Sequence, residues 1–129
     1  MRSYAREVAF CKIYTYLMSG QFDGDFSQFE QEKLEEADVT FATNLVQGVI
    51  ANKEQLDSIV SEFSKSFNLS RIYRLDLAAL ELALWEMNKT DTPKPVAINE
   101  AVSLVKKYST EKSVSYVNGI LAAYVRSAQ

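Results

Sequence analysis

The chain has no histidine and a single cysteine, Cys11, in 129 residues. These shortages exclude histidine-based nucleophilic catalysis and most protein metal sites, and one thiol cannot close an internal disulfide. A lone free cysteine suits a reducing compartment. Glycine is scarce too. Gly20, Gly24, Gly48 and Gly119 are the whole set, which leaves no glycine-rich phosphate loop. The only prolines, Pro93 and Pro95, stand together. No run approaches the ~20 apolar residues of a membrane span, and the opening Met1-Arg2-Ser3-Tyr4-Ala5-Arg6-Glu7 lacks a hydrophobic signal core. The expectation is a cytoplasmic protein with no membrane attachment.

What remains is ordinary for a globular chain: 47% hydrophobic and 24% charged residues. The length suggests a single domain, one that can bury roughly two-thirds of its unfolded surface without disulfide or metal. Abundant Ala, Leu, Glu and Lys favour helix. Phe10, Ile13, Tyr14 and Leu17 fall at helical spacing over 4–18, with Ser19-Gly20 as a stop. Residues 21–38 read as an acidic loop with at most one short helix, anchored by Phe22, Phe26 and Phe29. Periodicity predicts helices over about 38–52 and, through Leu56, Ile59, Val60, Phe63 and Phe67, just beyond; neither Asn52 nor Lys53 is a strong break. The segment 72–88 is apolar nearly all round, the pattern of a central buried helix. The proline linker 90–95 interrupts helix, 96–108 resumes it, 109–112 reads as a turn, and Val114, Val117, Leu121 and Tyr124 mark the last helix. The fold class is therefore all-α, with six or seven helices.

Asp76, Glu81 and Glu86 lie at five-residue steps on the apolar helix. Each step leaves them about 140° apart around the axis, so they point three ways and cannot converge on one substrate or metal. Cys11 has no basic partner on its own helical face, and the expected state is a buried, inert thiol. Gly48 and Gly119 each sit inside a helical pattern, at about 1 kcal/mol relative to Ala. Close packing of another helix or approach of a ligand would account for either. No catalytic residue, metal site or cofactor is expected.

Charge is unevenly placed. The net charge is −3, yet residues 21–40 alone carry −6, so the rest of the chain is +3. Arg2 and Arg6 near one end and Lys106, Lys107 and Lys112 near the other are interleaved with Tyr4, Tyr14, Tyr108 and Tyr116. Cations with aromatics are the usual equipment for single-stranded RNA, and equally the ordinary dress of a solvated surface.

Several motifs occur in one order: Ala5-Arg6-Glu7 with Ile13-Tyr14; Leu45-Val46-Gln47-Gly48-Val49; Leu82-Ala83-Leu84-Trp85-Glu86-Met87; Val96-Ala97-Ile98-Asn99-Glu100-Ala101-Val102; Lys106-Lys107-Tyr108; and Tyr116-Val117-Asn118-Gly119-Ile120-Leu121. Together they span nearly the whole chain, which resembles the NusB family of bacterial transcription antitermination factors. The resemblance implies two perpendicular three-helix bundles with one additional helix, in a single domain over 1–129 with lobes of about 1–67 and 68–129. It implies binding of boxA-type single-stranded RNA of ribosomal transcripts with the ribosomal protein NusE, in an RNA polymerase antitermination complex. It implies no reaction, and for some members a homodimer. Carried over residue by residue, the RNA-binding positions are Arg2, Arg6, Tyr14, Lys112, Tyr116, Asn118 and Gly119, with Asp76 at a surface for RNA or partner.

Three departures qualify these expectations. Arg2 and Arg6 stand where many relatives carry a run of arginines, which implies weak RNA binding by the protein alone. Glu81 occupies a position where Arg is common, so an internal ion pair is lost or reversed. Lys112 replaces a common acidic residue. A NusB-like domain also precedes some ribosomal RNA methyltransferases, so the alternative reading is a helical protein-interaction module without direct RNA contact.

Overall fold

The computed structural model describes residues 1–64 and 68–128. Among these there are six α-helices, two short 3-10 turns and no strand. The helices are α1 (Arg2–Ser19), α2 (Glu36–Ala51), α3 (Lys53–Ser64), α4 (Arg74–Lys89), α5 (Lys94–Tyr108) and α6 (Glu111–Ser127). The 3-10 turns are Gln31–Lys33 and Leu69–Arg71. Phe67, expected on the fourth helical segment, lies outside the described residues.

Local chemistry sets the helix ends. Gly20 closes α1 with φ +78°, and its N–H donates to the Tyr16 carbonyl. Glu35 and Asp38 form a reciprocal cap at the start of α2. The break between α2 and α3 is a single residue: the Asn52 side chain donates to the Gly48 carbonyl, 2.7 Å away, and the chain restarts at Lys53. The proline linker interrupts less than its composition suggests. Pro93 caps α5 and Pro95 sits in its first turn, where a missing N–H costs nothing. The expected 109–112 turn is likewise only Ser109-Thr110, because Thr110 caps α6 through the Ser113 N–H and Lys112 is already helical.

α4 is the hub and packs against each of the other five helices. Leu77, Leu80 and Leu84 are completely buried, and each side chain contributes about 1.5–3 kcal/mol. α1 lays Ala5, Val8, Ala9, Phe10 and Ile13 into the same core. Asp76, Glu81 and Glu86 do point three ways, to three different helices. Asp76 accepts from the Ser109 and Ser113 hydroxyls at the start of α6. Glu81 meets Lys53 of α3 at 3.2 Å. Glu86 takes a forked pair from Arg6 of α1, with Nε–O distances of 2.7 and 3.0 Å. The Glu81 contact is thus a hydrogen bond from Lys53 to a buried carboxyl group. Burial and the adjacent Asp57 carboxyl push Glu81 up to about 9, against the opposing pull of Lys53.

The acidic segment is held on α1 by a residue that looked incidental in sequence. The Lys12 amine donates to the carbonyls of Asp23 (2.6 Å) and Asp25 (2.7 Å) and stands 4.6 Å from the Phe26 ring centre. The Tyr4 hydroxyl accepts from the Glu30 N–H. Phe22 and Phe26 pack on the main core.

Candidate functional site

The start of α6 is built onto the start of α4. Ser109 and Ser113 donate to the two carboxylate oxygens of Asp76 at 2.7 and 2.8 Å. This places Lys112, exposed, and Tyr116, half-buried, beside the first turn of α4. Between them lies a cavity of about 340 Å³ lined also by Arg71 and Tyr73 from the α3–α4 connection. Tyr73 is 61% exposed, whereas Asp76 is 3% exposed. Burial, and then the Asp76 charge, push the Tyr116 hydroxyl above the usual phenol range.

The helical turn carries this surface onward. At about 100° per residue, Lys112, Tyr116 and Gly119 share a stripe about 60° wide, with Asn118 about 100° round from Gly119. Asn118 and Gly119 are exposed, and an ideal Cβ built on Gly119 would have no neighbour within 4 Å. Gly48 differs entirely. A Cβ there would lie 2.2 Å from Trp85 Cε2, so its glycine serves α2–α4 packing. One helical glycine is explained inside the molecule and the other is not.

The structure therefore sets Lys112, Tyr116 and Gly119 along one stripe of α6, with Asp76 at its base and the exposed Asn118 off that stripe. The residues expected from α1 behave differently. Arg2 is exposed and stacks over the Phe41 ring of α2, 3.9 Å from its centre. Tyr14 is half-buried against the core. Arg6 is only 6% exposed, engaged by Glu86 and, at 3.2 Å, by Glu100. Its expected place on an open phosphate-binding face is corrected accordingly: the guanidinium is an internal tie among α1, α4 and α5. Lys107 is also engaged, at 2.7 Å from Glu7, which accepts from Tyr108 as well. These two bonds outweigh burial and hold the Glu7 carboxyl below its ordinary value.

Arg71 and Tyr73 escaped the sequence reading. The signal was present in Arg71-Ile72-Tyr73-Arg74, a basic and aromatic alternation directly before the apolar helix. Cys11 is partly buried, and burial pushes its thiol up, away from reactivity. Among the described residues no cluster of His, Cys, Asp and Glu is arranged to hold a metal ion, and no helix is long and apolar enough to cross a membrane.

Helices packed around a buried central helix, with a cation- and tyrosine-lined cleft at one corner, define an all-α class of protein. The NusB family model matches residues 3–126, and the chain belongs to the NusB family. NusB proteins are transcription antitermination factors and catalyse no reaction. The chain is similar to the transcription antitermination protein NusB of Acetivibrio thermocellus, with 43% identity over 130 residues, 97% of this chain and 88% of the relative. The counterpart from a Thermoanaerobacter species is 35% identical over 97% of this chain and 90% of its own length. Among solved structures, T. maritima NusB superposes with a TM-score of 0.86 at 26% identity, covering 98% of this chain and 91% of that one. The NusB of a complex of NusB and NusE with double-stranded RNA gives 0.84 at 28% identity, covering 98% and 96%.

Proposed function

We propose that this chain binds boxA-type single-stranded RNA of ribosomal transcripts together with NusE, and so helps to keep RNA polymerase processive and resistant to termination. The observation that carries the reading is Gly119. It is a mid-helix glycine on the stripe of Lys112 and Tyr116, and its Cβ position faces open space. A glycine kept at a cost of about 1 kcal/mol without an internal neighbour is accounted for by a partner that must approach the helix backbone closely. A related NusB in complex with NusE and double-stranded RNA supports NusE and RNA as the partners.

Lys112 and Arg2 supply phosphate contacts, Tyr116 offers a ring and Asn118 a polar contact. Arg6 acts through Glu86 and Glu100, fixing the α1–α5 surface rather than touching RNA. With only Arg2 and Lys112 assigned to phosphates, the protein binds RNA weakly alone, and NusE enlarges the surface. A gel-shift of boxA-like RNA with and without NusE, over a salt series, tests this. Two phosphate contacts give a log–log salt slope of about −1.4 for the protein alone, and NusE tightens binding markedly. Salt-independent binding, or no gain from NusE, refutes it. An Arg2 and Lys112 double substitution that leaves RNA affinity unchanged supports instead an interaction module without RNA contact.

A further inference from the structure

Asp57 Oδ1 on α3 and Glu81 Oε1 on α4 are buried and, among the described residues, have no hydrogen-bond donor. The two carboxyls are neighbours. The Lys53 amine donates to the other oxygen of each, to Asp57 Oδ2 and, at 3.2 Å, to Glu81 Oε2. One cation thus spans two acids and leaves one oxygen of each facing protein. Two carboxylates and one ammonium would leave a net charge of −1 where Glu81 is completely buried. A buried carboxyl in that position takes up a proton instead. A single proton makes the trio neutral and supplies the one donor that both orphan oxygens lack. It resides on Glu81, because the Asp57 side chain keeps 15% exposure and the closer contact with Lys53. Burial and the Asp57 carboxyl, which push Glu81 up to about 9, act in the same direction. The charged groups that the other elements bury are engaged elsewhere. Arg6 of α1 is held by Glu86 and Glu100, Lys12 of α1 by the carbonyls of Asp23 and Asp25, and Asp38 of α2 by the Met1 amine. Asp76 of α4 itself is held by Ser109 and Ser113.

We propose that Glu81 donates a proton held at Oε1 to Asp57 Oδ1, and that this shared proton is a pH-operated latch fastening α3 to α4. The latch sits in the first turn and a half of α3, beside the one-residue break at Asn52. Beyond it α3 is held by apolar contact alone on its inner face, through Leu56 and Val60 and through Phe63 against the Tyr124 ring. When α3 lifts away, Glu81 meets water and returns to its ordinary value of 4.5. The closed form therefore holds a proton that the open form releases. Between about pH 5 and pH 9 the opening equilibrium rises about tenfold per pH unit. Above that window both forms are ionised at Glu81 and the rise ends.

Two measurements on the full chain test the two halves of the proposal. Infrared difference spectra in D2O read the proton. Wild type at about pH 7, well above the ordinary carboxyl range, shows the carbonyl band of a protonated carboxylic acid. Glu81→Gln, which keeps a donor toward Asp57 but cannot ionise, removes that band. Asp57→Asn takes away the neighbouring negative charge, so the band titrates away at lower pH than in wild type. Hydrogen exchange followed by mass spectrometry reads the latch, with wild type and Glu81→Gln compared at each pH so that the intrinsic exchange rates cancel. The α3 amides exchange through an opening easier than the global unfolding reported by the α1 amides. From about pH 6 to pH 8 that opening becomes about 100-fold easier in wild type relative to Glu81→Gln. Absence of an acid band that depends on Glu81, or a band that titrates identically in Asp57→Asn, overturns the shared proton. Equal α3 opening in wild type and Glu81→Gln at every pH, or α3 amides that exchange only with those of α1, overturns the latch.

Discussion

Gly48 and Gly119 permit a paired experiment in which the same substitution has opposite consequences. Alanine at either position gains about 1 kcal/mol of helix propensity. At Gly48 the new methyl would meet Trp85 at 2.2 Å (Cε2), 2.3 Å (Cζ2) and 2.5 Å (Nε1), all far inside van der Waals contact. The indole must leave its seat on α2 or the two helices must separate, at an overpacking cost of about 1–3 kcal/mol. Gly48→Ala is therefore destabilising on balance, by up to about 2 kcal/mol. At Gly119 nothing lies within 4 Å, so the propensity gain is realised in full. Gly119→Ala raises the thermal midpoint by about 3–5 °C for a chain of this size. If RNA approaches the backbone at that point, Gly119→Leu keeps the stability gain but weakens RNA binding about tenfold, or ~1.4 kcal/mol. Circular dichroism melts of the alanine variants, with anisotropy titrations of RNA on the leucine variant, check each part. A Gly119→Ala variant that melts below wild type refutes the claim of open space. A Gly119→Leu variant that binds RNA as tightly as wild type refutes the claim that an external partner explains this glycine.

Other expected outcomes follow from the buried charges. Arg6→Met strands Glu86 in the core and lowers stability by about 3–5 kcal/mol in urea unfolding; a loss within about 1 kcal/mol, the scale of an exposed pair, would show that Arg6 is not an internal tie. Glu81 is raised from its ordinary 4.5 to about 9 in the folded state. The folded chain thus holds a proton that the unfolded chain releases, and this contribution to stability is lost as pH rises from about 5 through about 9. Glu81→Gln flattens that decline in denaturation midpoints between about pH 5.5 and pH 8.5, and an unaltered slope would disprove the assignment. Lys112→Glu weakens RNA binding and makes the log–log salt slope shallower by about 0.7, as read from titrations over a salt series. Cys11 reacts slowly with a thiol reagent in the native state and rapidly in denaturant, and fast native labelling would contradict its partial burial.

Periodic residues told most of the architecture. The apolar run of α4 announced a central helix, and the five-residue steps of its acids excluded a shared site, because both depend only on helix geometry. The N-terminal arginine motif led elsewhere. Arg6 matched an RNA-binding pattern, but its partner Glu86 is 80 positions away, and nothing local announces such a pair. Lys12 was similarly opaque: its role depends on carbonyls of a loop that folds back over α1. Gly48 and Gly119 posed one question in sequence and received two answers, since only the packed structure shows what faces a missing Cβ. At the Asp76 cleft, Lys112 and Tyr116 were legible through the family motif. Arg71 and Tyr73 enter from a segment whose position depends on how α3 turns into α4.

A helix that is greasy on every side can roll. α4 has leucine or alanine in nearly all directions, and the hydrophobic effect alone scarcely distinguishes one rotation about its long axis from the next. Asp76, Glu81 and Glu86 remove that freedom. A slip of one residue swings every side chain by about 100°, which would pull the three acids from α6, α3 and α1 together and bury each without a donor. They act as three keys cut at different angles, turning a featureless rod into one with a single seated orientation. At Glu81 the key is a hydrogen bond from Lys53 of α3 to a carboxyl that burial keeps protonated near neutral pH. What seats the helix is a bond in each direction, not a charge of a particular sign.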